Sequence, residues 1–448
     1  MERFLYFCRF KTRALNKQIL RLAVPSIITN ITVPLLGMVD VAIVGHIGQA
    51  SHIAAIALGT MVFNLVYWNF GFLRMGTSGL TAQAYGAEDR AECLRILVRG
   101  MAIALCAAVL LIALQQPIDL LCRRWIHTSQ ETLDLTMIYF HIRIWAAPAT
   151  LGLYALKGWF IGMQNAKAPM WIAIILNLVN IVGSLVFVFV LHYGIAGVAW
   201  GTVIAQYMGL AMAVVIWFYK YGEMRHDINI RESLKINEMV RFFKINADIF
   251  LRTLCLIAVF TFIPYISAEM GDEVLAANTL LMQLFTLLSY IMDGFAYAGE
   301  SLVGRYVGAQ DNQSLRRVIR LLLLWGTGLA AVFTVLYALC GRGLLSILTD
   351  KVEVIDKAME YIIWTVMVPF AGFAAFIYDG IYIGATASKA MRNVMFAATA
   401  AFFIAYYALH NTLGNNGLWI AFLLFLVLRG LLMQLGVKRI EATVDPTR

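Results

Sequence analysis

The chain has 448 residues, of which 61% are hydrophobic and only 14% charged, with a formal net charge of +9. This composition excludes a soluble globular domain and indicates a membrane protein with many spans. It also argues against a nucleic-acid-binding protein, because the basic residues fall mainly between apolar segments, as the positive-inside rule requires. The six cysteines have no paired or metal-type spacing and are interpreted as small apolar helix residues.

The hydropathy pattern predicts an all-α polytopic membrane protein with twelve transmembrane helices, since about 20 apolar residues span a bilayer. The predicted spans are 19–44, 53–85, 94–116, 133–163, 168–192, 194–218, 245–268, 274–307, 315–340, 357–385, 389–410 and 416–437. The N-terminal segment and the connections after spans 2, 6, 8 and 10 are basic. The exception is Arg123 and Arg124, which follow span 3 and so lie on the opposite side of the membrane in this prediction. We therefore expect both termini in the cytoplasm, and expect the first helix to direct insertion in place of a cleavable signal.

The first span contains a single acid, Asp40, preceded by Pro34 and Gly37. A carboxylate within a bilayer costs about 2.5–3.5 kcal/mol on insertion scales, so such a residue faces a bundle interior or a water-filled path. Pro34 donates no backbone hydrogen bond and crowds the carbonyl of Asn30, while Gly37 removes bulk near the face of Asp40. A helix that bends beside one titratable group is what a proton- or sodium-driven carrier needs. The alternative is a proline kink beside a structural aspartate.

A polar cluster is expected on spans 5 and 6. Its members are Asn177, Asn180 and Ser184, at i, i+3 and i+7 on one helix face, with Thr202 and Gln206 on the next helix. Together with Asp40 they would form one polar pocket in the N-terminal half. Carboxylate, amide and hydroxyl oxygens suit a hard cation such as sodium, or a hydrogen-bond network around a protonatable acid. The alternative is that they hold membrane helices together.

The sizeable polar connection 219–244 divides the chain into two halves of six spans, and sequence blocks recur across it at one offset of 222 residues. The matches are Gly86-Ala87-Glu88-Asp89 with Gly308-Ala309-Gln310-Asp311, Gly158-Trp159-Phe160-Ile161-Gly162 with Gly380-Ile381-Tyr382-Ile383-Gly384, and Ala54-Ala55 with Ala276-Ala277. The repeat predicts an N-terminal lobe 1–218, a cytoplasmic linker 219–244 and a C-terminal lobe 245–448 around a central cavity. That is the architecture of an alternating-access carrier, with duplication without transport as the alternative.

Further charges within the apolar spans are candidates for substrate contact or gating: Arg74, Asp248, Arg252, Asp293, Glu300 and Asp379. Asp248 and Arg252 are four residues apart on one helix, so a structural ion pair between them is the alternative. Buried acids with arginine partners are often permanent struts. Lys157 and Asp379 occupy equivalent positions of the repeat with opposite charge, which breaks the pseudo-symmetry.

The sequence has no signature of an enzyme. It contains no phosphate-binding loop followed by Lys and Ser or Thr, no His/Cys metal spacing and no nucleophile elbow. ATP is therefore not the expected energy source, and an ion gradient is the remaining driver. Abundant aromatic and methionine residues, such as Tyr67, Trp68 and Met282, would suit bulky amphipathic compounds bound with loose specificity.

Several runs of residues in this sequence resemble those of the multidrug and toxic compound extrusion (MATE) transporters, most closely their DinF branch. The resemblance covers nearly the whole chain. The runs are Ala23-Val24-Pro25, the stretch from Pro34 to Asp40, Phe72-Leu73-Arg74-Met75-Gly76-Thr77 with Gly79-Leu80-Thr81-Ala82-Gln83-Ala84, and Asp379-Gly380-Ile381-Tyr382-Ile383-Gly384-Ala385-Thr386. The resemblance implies two six-helix lobes that export drug-like compounds in exchange for protons or sodium. It also implies that Asp40 is the coupling acid, with bending at Pro34.

The cation site of the family corresponds here to Asp40, Asn180 and Thr202, but Ser184 stands where the family has a second acid. The missing negative charge favours the proton as the coupling ion. A sodium ion held by Asp40, Asn180 and Thr202 is the alternative.

We therefore predict a secondary active exporter that antiports amphipathic or cationic drug-like compounds against protons, or sodium, by alternating access. It is expected in the inner (plasma) membrane among membrane lipids, as a monomer without a cofactor or a nucleic-acid partner. The rival prediction is a lipid-linked oligosaccharide flippase of related fold, which needs a strongly basic cavity, whereas the expected central charges are mostly acidic. A non-transporting membrane protein and an ion channel are more distant alternatives.

Overall fold

The computed structural model describes residues 2–45, 50–126, 128–227 and 229–444. Within these ranges, the side chains at 2–11, 33, 35–38, 40, 41, 44, 45 and 50 lie outside the described part. The described residues form helices and turns and no strand. The predicted all-α fold class is thereby confirmed.

In chain order, the α-helices of the described ranges are α1 (Glu2–Gly45), α2 (Ala50–Asn69), α3 (Gly71–Gly86), α4 (Arg90–Ala113), α5 (Gln115–Trp125), α6 (Gln130–Arg143), α7 (Ala147–Gly162), α8 (Lys167–Leu185), α9 (Gly194–Tyr221), α10 (Ile230–Ser233), α11 (Ile236–Glu269), α12 (Asp272–Gly308), α13 (Asn312–Leu348), α14 (Val352–Gly384), α15 (Ser388–Leu413) and α16 (Asn415–Ala442).

These helices account for the twelve predicted spans. Ten helical stretches of the described residues are long and apolar enough to cross a membrane, and α2 with α3 forms one of them. The two other predicted spans fall on α1 and on α6 with α7, which are joined by a 3-10 turn at Ile144–Ala146. Pro148 at the start of α7 suits this junction, because proline is tolerated in the first turn of a helix.

The short helix α5 was not predicted from the sequence, and it contains Arg123 and Arg124, the exception in the charge pattern. Its Arg123 donates to Asp119 at 2.7 Å and to Asp134 at 2.8 Å. The hydrogen bonds with Asp134 and Asp119 raise the pKa of the Arg123 guanidinium above its ordinary value. Arg123 and Arg124 stay an exception to the predicted charge pattern, because the positive-inside rule counts Lys and Arg and is not a rule of net charge.

The backbone repeats at the offset that the sequence predicts. Six of the eight described residues with positive φ form pairs 222 positions apart, at Glu88 and Gln310, Gln164 and Thr386, and His192 and Gly414. The side chain of Asp89 caps α4 by accepting from the Glu92 amide, and Asp311 caps α13 by accepting from the Ser314 amide. These pairs are again 222 positions apart. The two halves therefore share connections as well as helices.

The same helix pairs pack closely in both halves. A methyl group added to Gly158 on α7 would overlap the carbonyl of Arg74 on α3. A methyl group added to Gly380 on α14 would likewise overlap the carbonyl of Ala296 on α12. Because both contacts are with backbone atoms, which cannot move aside, the absence of a side chain at Gly158 and Gly380 is what lets these helices approach.

The described helices group into two compact units, each with an apolar core of its own. The N-terminal unit is Ile28–Phe243, and the C-terminal unit is Lys244–Arg448 together with Met1–Ile27. The first part of α1 is held in the C-terminal unit by hydrogen bonds from Trp325 to Asn16 at 3.0 Å and from Tyr306 to Gln18 at 3.3 Å. The division into lobes 1–218 and 245–448 stays a prediction.

Candidate functional site

The predicted pocket of the N-terminal unit contains a buried contact between α8 and α9. Asn180 Nδ2 donates to Thr202 Oγ1 at 3.0 Å, and the Thr202 hydroxyl donates to the Val198 carbonyl at 3.1 Å. Ser184 lies one turn further along α8 and is fully buried. Gly201 permits this approach, because a Cβ at that position would lie 2.6 Å from Ser184 Oγ.

Two oxygens of this pocket have unused hydrogen-bonding capacity. Asn180 Oδ1 and Ser184 Oγ are buried and have no hydrogen-bond partner among the described residues. Leaving a buried polar group unsatisfied costs about 1–3 kcal/mol. These two oxygens are therefore suited to reversible binding of another group. An amide oxygen can accept a hydrogen bond from a carboxylic acid, and both oxygens can bind a cation.

The other predicted members of the pocket lie apart from this contact. Asn177 Nδ2 donates to the Thr32 carbonyl at 3.0 Å, which ties α8 to α1 two residues before Pro34. Gln206 is half-buried one turn after Thr202 and makes no hydrogen bond to the described side chains. The structure thus brings Asn180, Ser184 and Thr202 together.

Asp40 lies on the helical backbone of α1, but its side chain is outside the described part of the chain. Its role as the coupling acid is therefore still a prediction. Pro34 is exposed, and α1 continues through it. Bending at Pro34 likewise stays a prediction.

The C-terminal unit contains a buried ionic cluster on three helices. Arg252 Nη2 on α11 and Arg429 Nη2 on α16 both donate to Asp379 Oδ2 on α14, the latter at 2.7 Å. The three residues are 5%, 2% and 6% exposed, respectively. Asp379 Oδ1 has no hydrogen-bond partner among the described residues. The half-buried Asp293 lies within electrostatic range of Arg429.

An ion pair between Asp248 and Arg252, the structural alternative that helical spacing predicts, does not form. Asp248 instead accepts from Arg392 at 2.6 Å and from Ser388 at 3.0 Å, both on α15. Arg252 pairs with the more deeply buried Asp379, because a guanidinium taken out of water needs a carboxylate buried beside it. Helical spacing alone could not indicate this choice, since Asp379 comes from another helix.

Arg429 was not among the residues singled out from the sequence. The sequence nevertheless contained a signal for it, because Arg429 is the only charged residue in the predicted span 416–437. An arginine inside an apolar span marks a functional site or a partner by default.

The two remaining candidates lie on α12 and α3. Glu300 is buried on α12, and its backbone carbonyl packs against Gly384 of α14. Arg74 is half-buried on α3, within electrostatic range of Tyr154. No group of three or more His, Cys, Asp and Glu residues able to hold a metal ion occurs among the residues that were described.

Comparison with known proteins identifies the family. The family model described as MatE matches residues 25–186 and 249–407. The chain belongs to the MATE family. It is 37% identical over 423 residues to "DNA damage-inducible protein F" of Escherichia coli (strain K12), covering 93% of this chain and 90% of that protein. The resemblance to the DinF branch of the MATE transporters is thereby confirmed.

More distant MATE relatives agree with this assignment. "Probable multidrug resistance protein NorM" of Chromobacterium violaceum is 23% identical over 441 residues, covering 94% of this chain and 93% of that protein. The solved structure titled "Crystal structure of MATE in the bent conformation" has a TM-score of 0.85 at 19% identity, covering 96% of both chains. A second, "Outward-facing conformation of a multidrug resistance MATE family transporter of the MOP superfamily", has a TM-score of 0.83 at 20% identity and covers 97% of both chains.

The MATE assignment identifies a multi-pass membrane protein of a multidrug and toxin efflux family. The relatives are transporters, so the flippase alternative is not favoured.

Proposed function

We propose that this MATE protein exports amphipathic drug-like compounds, cationic ones among the candidates, in exchange for protons by alternating access. In this proposal it resides in the inner membrane with both termini in the cytoplasm, works as a monomer of two lobes, 1–218 and 245–448, and carries out no catalytic reaction. The observation that carries the coupling assignment is the buried pair Asn180–Thr202, beside which Asn180 Oδ1 and Ser184 Oγ have no partner among the described residues.

Asp40 is assigned as the proton carrier, with Asn180, Ser184 and Thr202 shaping its pocket and Pro34 permitting α1 to bend. An uncharged acid would donate to an open amide oxygen, and a charged one would accept from a hydroxyl. Protons are favoured over sodium because Ser184, a neutral residue, stands where the cation site of the family has a second acid, so the pocket has one negative charge fewer for a cation. A sodium ion at Asp40, Asn180 and Thr202 is the alternative.

The charged residues of the C-terminal unit are assigned, as candidates ranked after Asp40, to gating or substrate contact. Arg252 and Asp379 belong to the buried ionic cluster, and Asp293 lies within electrostatic range of its Arg429. A cluster of this kind resists change until one member is neutralised, because an unpaired buried charge is costly.

The test uses purified protein in liposomes that contain a pH-sensitive dye. Amphipathic compounds, cationic and anionic in turn, are added under an imposed proton gradient, with and without sodium. We expect a compound to evoke proton flux in the wild type that sodium does not change and that Asp40→Asn abolishes. The exposed Asp350 provides the matched control, and Asp350→Asn should behave as the wild type does.

Retention of flux in Asp40→Asn would assign Asp40 to a structural role and move the coupling site to Asp293 or Asp379. Flux that requires sodium would identify sodium, in place of the proton, as the coupling ion.

A further inference from the structure

The beginning of α13 presents three arginines to one cavity. Arg316, Arg317 and Arg320 line a cavity of about 350 Å³ together with Asn312 and Gln313, which belong to the first turn of the same helix. Arg316 and Arg320 are exposed, and Arg317 is half-buried. Guanidinium and amide groups donate hydrogen bonds, so a concave surface made of them is suited to an anion. We call this site the arginine cavity.

Two of the three arginines have no carboxylate bound to them in the described part of the chain. Arg316 pairs with Glu441 of α16 at 3.2 Å. Arg317 and Arg320 make no hydrogen bond or ion pair with the residues that the structure describes. Asp311, the acid closest to them in sequence, caps the start of α13 through a backbone amide. The arginine cavity therefore has two guanidiniums available to an external anion.

The equivalent arginine of the N-terminal unit is neutralised within the protein. Arg95 on α4 lies 222 residues before Arg317. It pairs with Glu92 at 3.5 Å and with Glu232 of α10 at 2.9 Å. The position of Glu92 is occupied by Ser314 in the second half of the repeat. The repeat thus keeps the arginine on α13 but replaces one of its counter-ions by a neutral residue.

An exposed apolar stripe continues along α13 from the arginines. Leu324 lies one turn after Arg320, and Val332, Val335 and Leu339 follow on the same side of the helix; all four side chains are more than half exposed. Helix α13 is long and apolar enough to cross a membrane. From Leu324 to Leu339 it rises about 22 Å at about 1.5 Å per residue, which exceeds the ~15 Å of hydrocarbon in one leaflet. The stripe is therefore long enough to accompany an acyl chain, with the arginines at the level of the headgroups.

We propose that the arginine cavity binds the phosphate group of an anionic phospholipid whose acyl chains lie along the exposed stripe of α13. Arg317 and Arg320 donate to the phosphate oxygens, since guanidinium–phosphate hydrogen bonds are charge-assisted and strong. Basic clusters next to a membrane span attract anionic lipids. A soluble phosphate compound would use the arginines but leave the stripe without a role. The inference adds a lipid site to the protein and does not depend on which compound is exported.

The test measures lipid binding to the purified, delipidated full-length protein in detergent. Dioleoyl-phosphatidylglycerol and dioleoyl-phosphatidylcholine, which share their acyl chains, are titrated in turn, and the bound lipid is counted by native mass spectrometry. We expect the first phosphatidylglycerol to bind about tenfold or more tightly than phosphatidylcholine. The double variant Arg317→Gln/Arg320→Gln should reduce that preference to about twofold or less and leave the phosphatidylcholine affinity unchanged. Arg317→Lys/Arg320→Lys should retain most of the preference, because lysine also binds phosphate.

The matched control removes two charges elsewhere. Arg241 and Lys244 are exposed at the start of α11, and Arg241→Gln/Lys244→Gln should preserve the lipid preference of the wild type. An equal loss in both double variants would assign the preference to the net positive charge of the protein and overturn the site. If Arg317→Gln/Arg320→Gln does not elute as a single species in size-exclusion chromatography, the exposed substitution Arg320→Gln replaces it, with an expected loss of about threefold.

Water-soluble competitors separate the lipid from a free phosphate compound. Inorganic phosphate and glycerophosphoglycerol, the headgroup without its chains, should not displace phosphatidylglycerol at a hundredfold excess. Displacement by either compound at the concentration of the lipid would assign the arginine cavity to soluble phosphates and overturn the inference. A wild type that binds both lipids equally would overturn it as well. Because no ion gradient is present in these experiments, their outcome is independent of whether export is coupled to protons.

Discussion

Asp379 illustrates how strongly a buried residue depends on partners that come from distant parts of the chain. One of its oxygens accepts hydrogen bonds from Arg252 and Arg429, which lie on two other helices. The sequence identified Asp379 and Arg252 as intramembrane charges from composition alone. It could not identify their pairing, because helical spacing instead favours Arg252 with Asp248, four residues away.

Replacing Asp379 by leucine should be strongly destabilising. Asp379→Leu removes the carboxylate that two buried guanidiniums contact, and breaking a buried ion pair in this way costs about 3–5 kcal/mol. The thermal unfolding midpoint of the protein in detergent measures the loss. Asp248→Leu is the comparison, because its partner Arg392 is half-exposed and can return to water. Equal midpoints for the two variants would contradict the buried cluster as described.

Thr202→Val tests the hydrogen bond between α8 and α9. Valine has nearly the shape of threonine but cannot accept from Asn180 Nδ2, which leaves that donor buried and unpaired at a cost of about 1–3 kcal/mol. We expect slower proton-coupled efflux and a lower unfolding midpoint. Thr327→Val, an exposed substitution on α13, should change neither. Normal efflux by Thr202→Val would remove Thr202 from the coupling pocket.

At the scale of helices, the internal repeat was the most informative feature of the sequence. The offset of 222 residues seen in three short blocks reappears in the left-handed residues, in the caps by Asp89 and Asp311, and in the glycine contacts of α7 and α14. Turns and close backbone contacts depend on local residue types, so the sequence could predict them. Helix α5 was not predicted, because its residues fall at the end of the predicted span 3 and in the connection after it.

Gly380→Ala should loosen the packing of α14 on α12. The added methyl group meets the carbonyl of Ala296, a backbone atom that cannot move aside, and overpacking of this kind costs about 1–3 kcal/mol. Gly328→Ala on α13 is the matched control, because a methyl group there has no atom within 4 Å. It should stabilise slightly, by about 0.5–1 kcal/mol, through the higher helix propensity of alanine. Unfolding midpoints in detergent measure both variants.

The connection between the halves is held against the N-terminal unit. Arg99 on α4 is buried and donates to the Ser233 carbonyl of α10 at 2.8 Å and to Glu92 at 2.6 Å. A second arginine, Arg95, pairs with Glu232 of α10 at 2.9 Å. The predicted linker 219–244 therefore contains a helix that is fixed to α4.

Arg99→Met should release α10 from α4. The Ser233 carbonyl loses its donor, so the segment around α10 becomes more accessible, and we expect limited trypsin digestion to cut it several times faster. Arg241→Met, an exposed substitution on α11, removes one cleavage site without touching the contact and serves as the control. Unchanged cleavage at Arg231 and Lys235 in Arg99→Met would contradict the docking.

At the scale of the whole molecule, composition and hydropathy predicted the membrane class and the twelve spans. The grouping of Met1–Ile27 with the C-terminal unit could not be read from the sequence. It depends on contacts such as Trp325 with Asn16, more than 300 residues apart.

Dye accumulation in proteoliposomes under one imposed gradient at a time tests the central claim, proton-driven export, most directly. A proton gradient alone should drive the wild type to concentrate its substrate dye against the dye's own gradient, and a sodium gradient alone should not. Collapse of the proton gradient by an ionophore, or the substitution Asp40→Asn, should return the dye to equilibrium. Accumulation that follows the sodium gradient, or that persists without either gradient, would contradict the account.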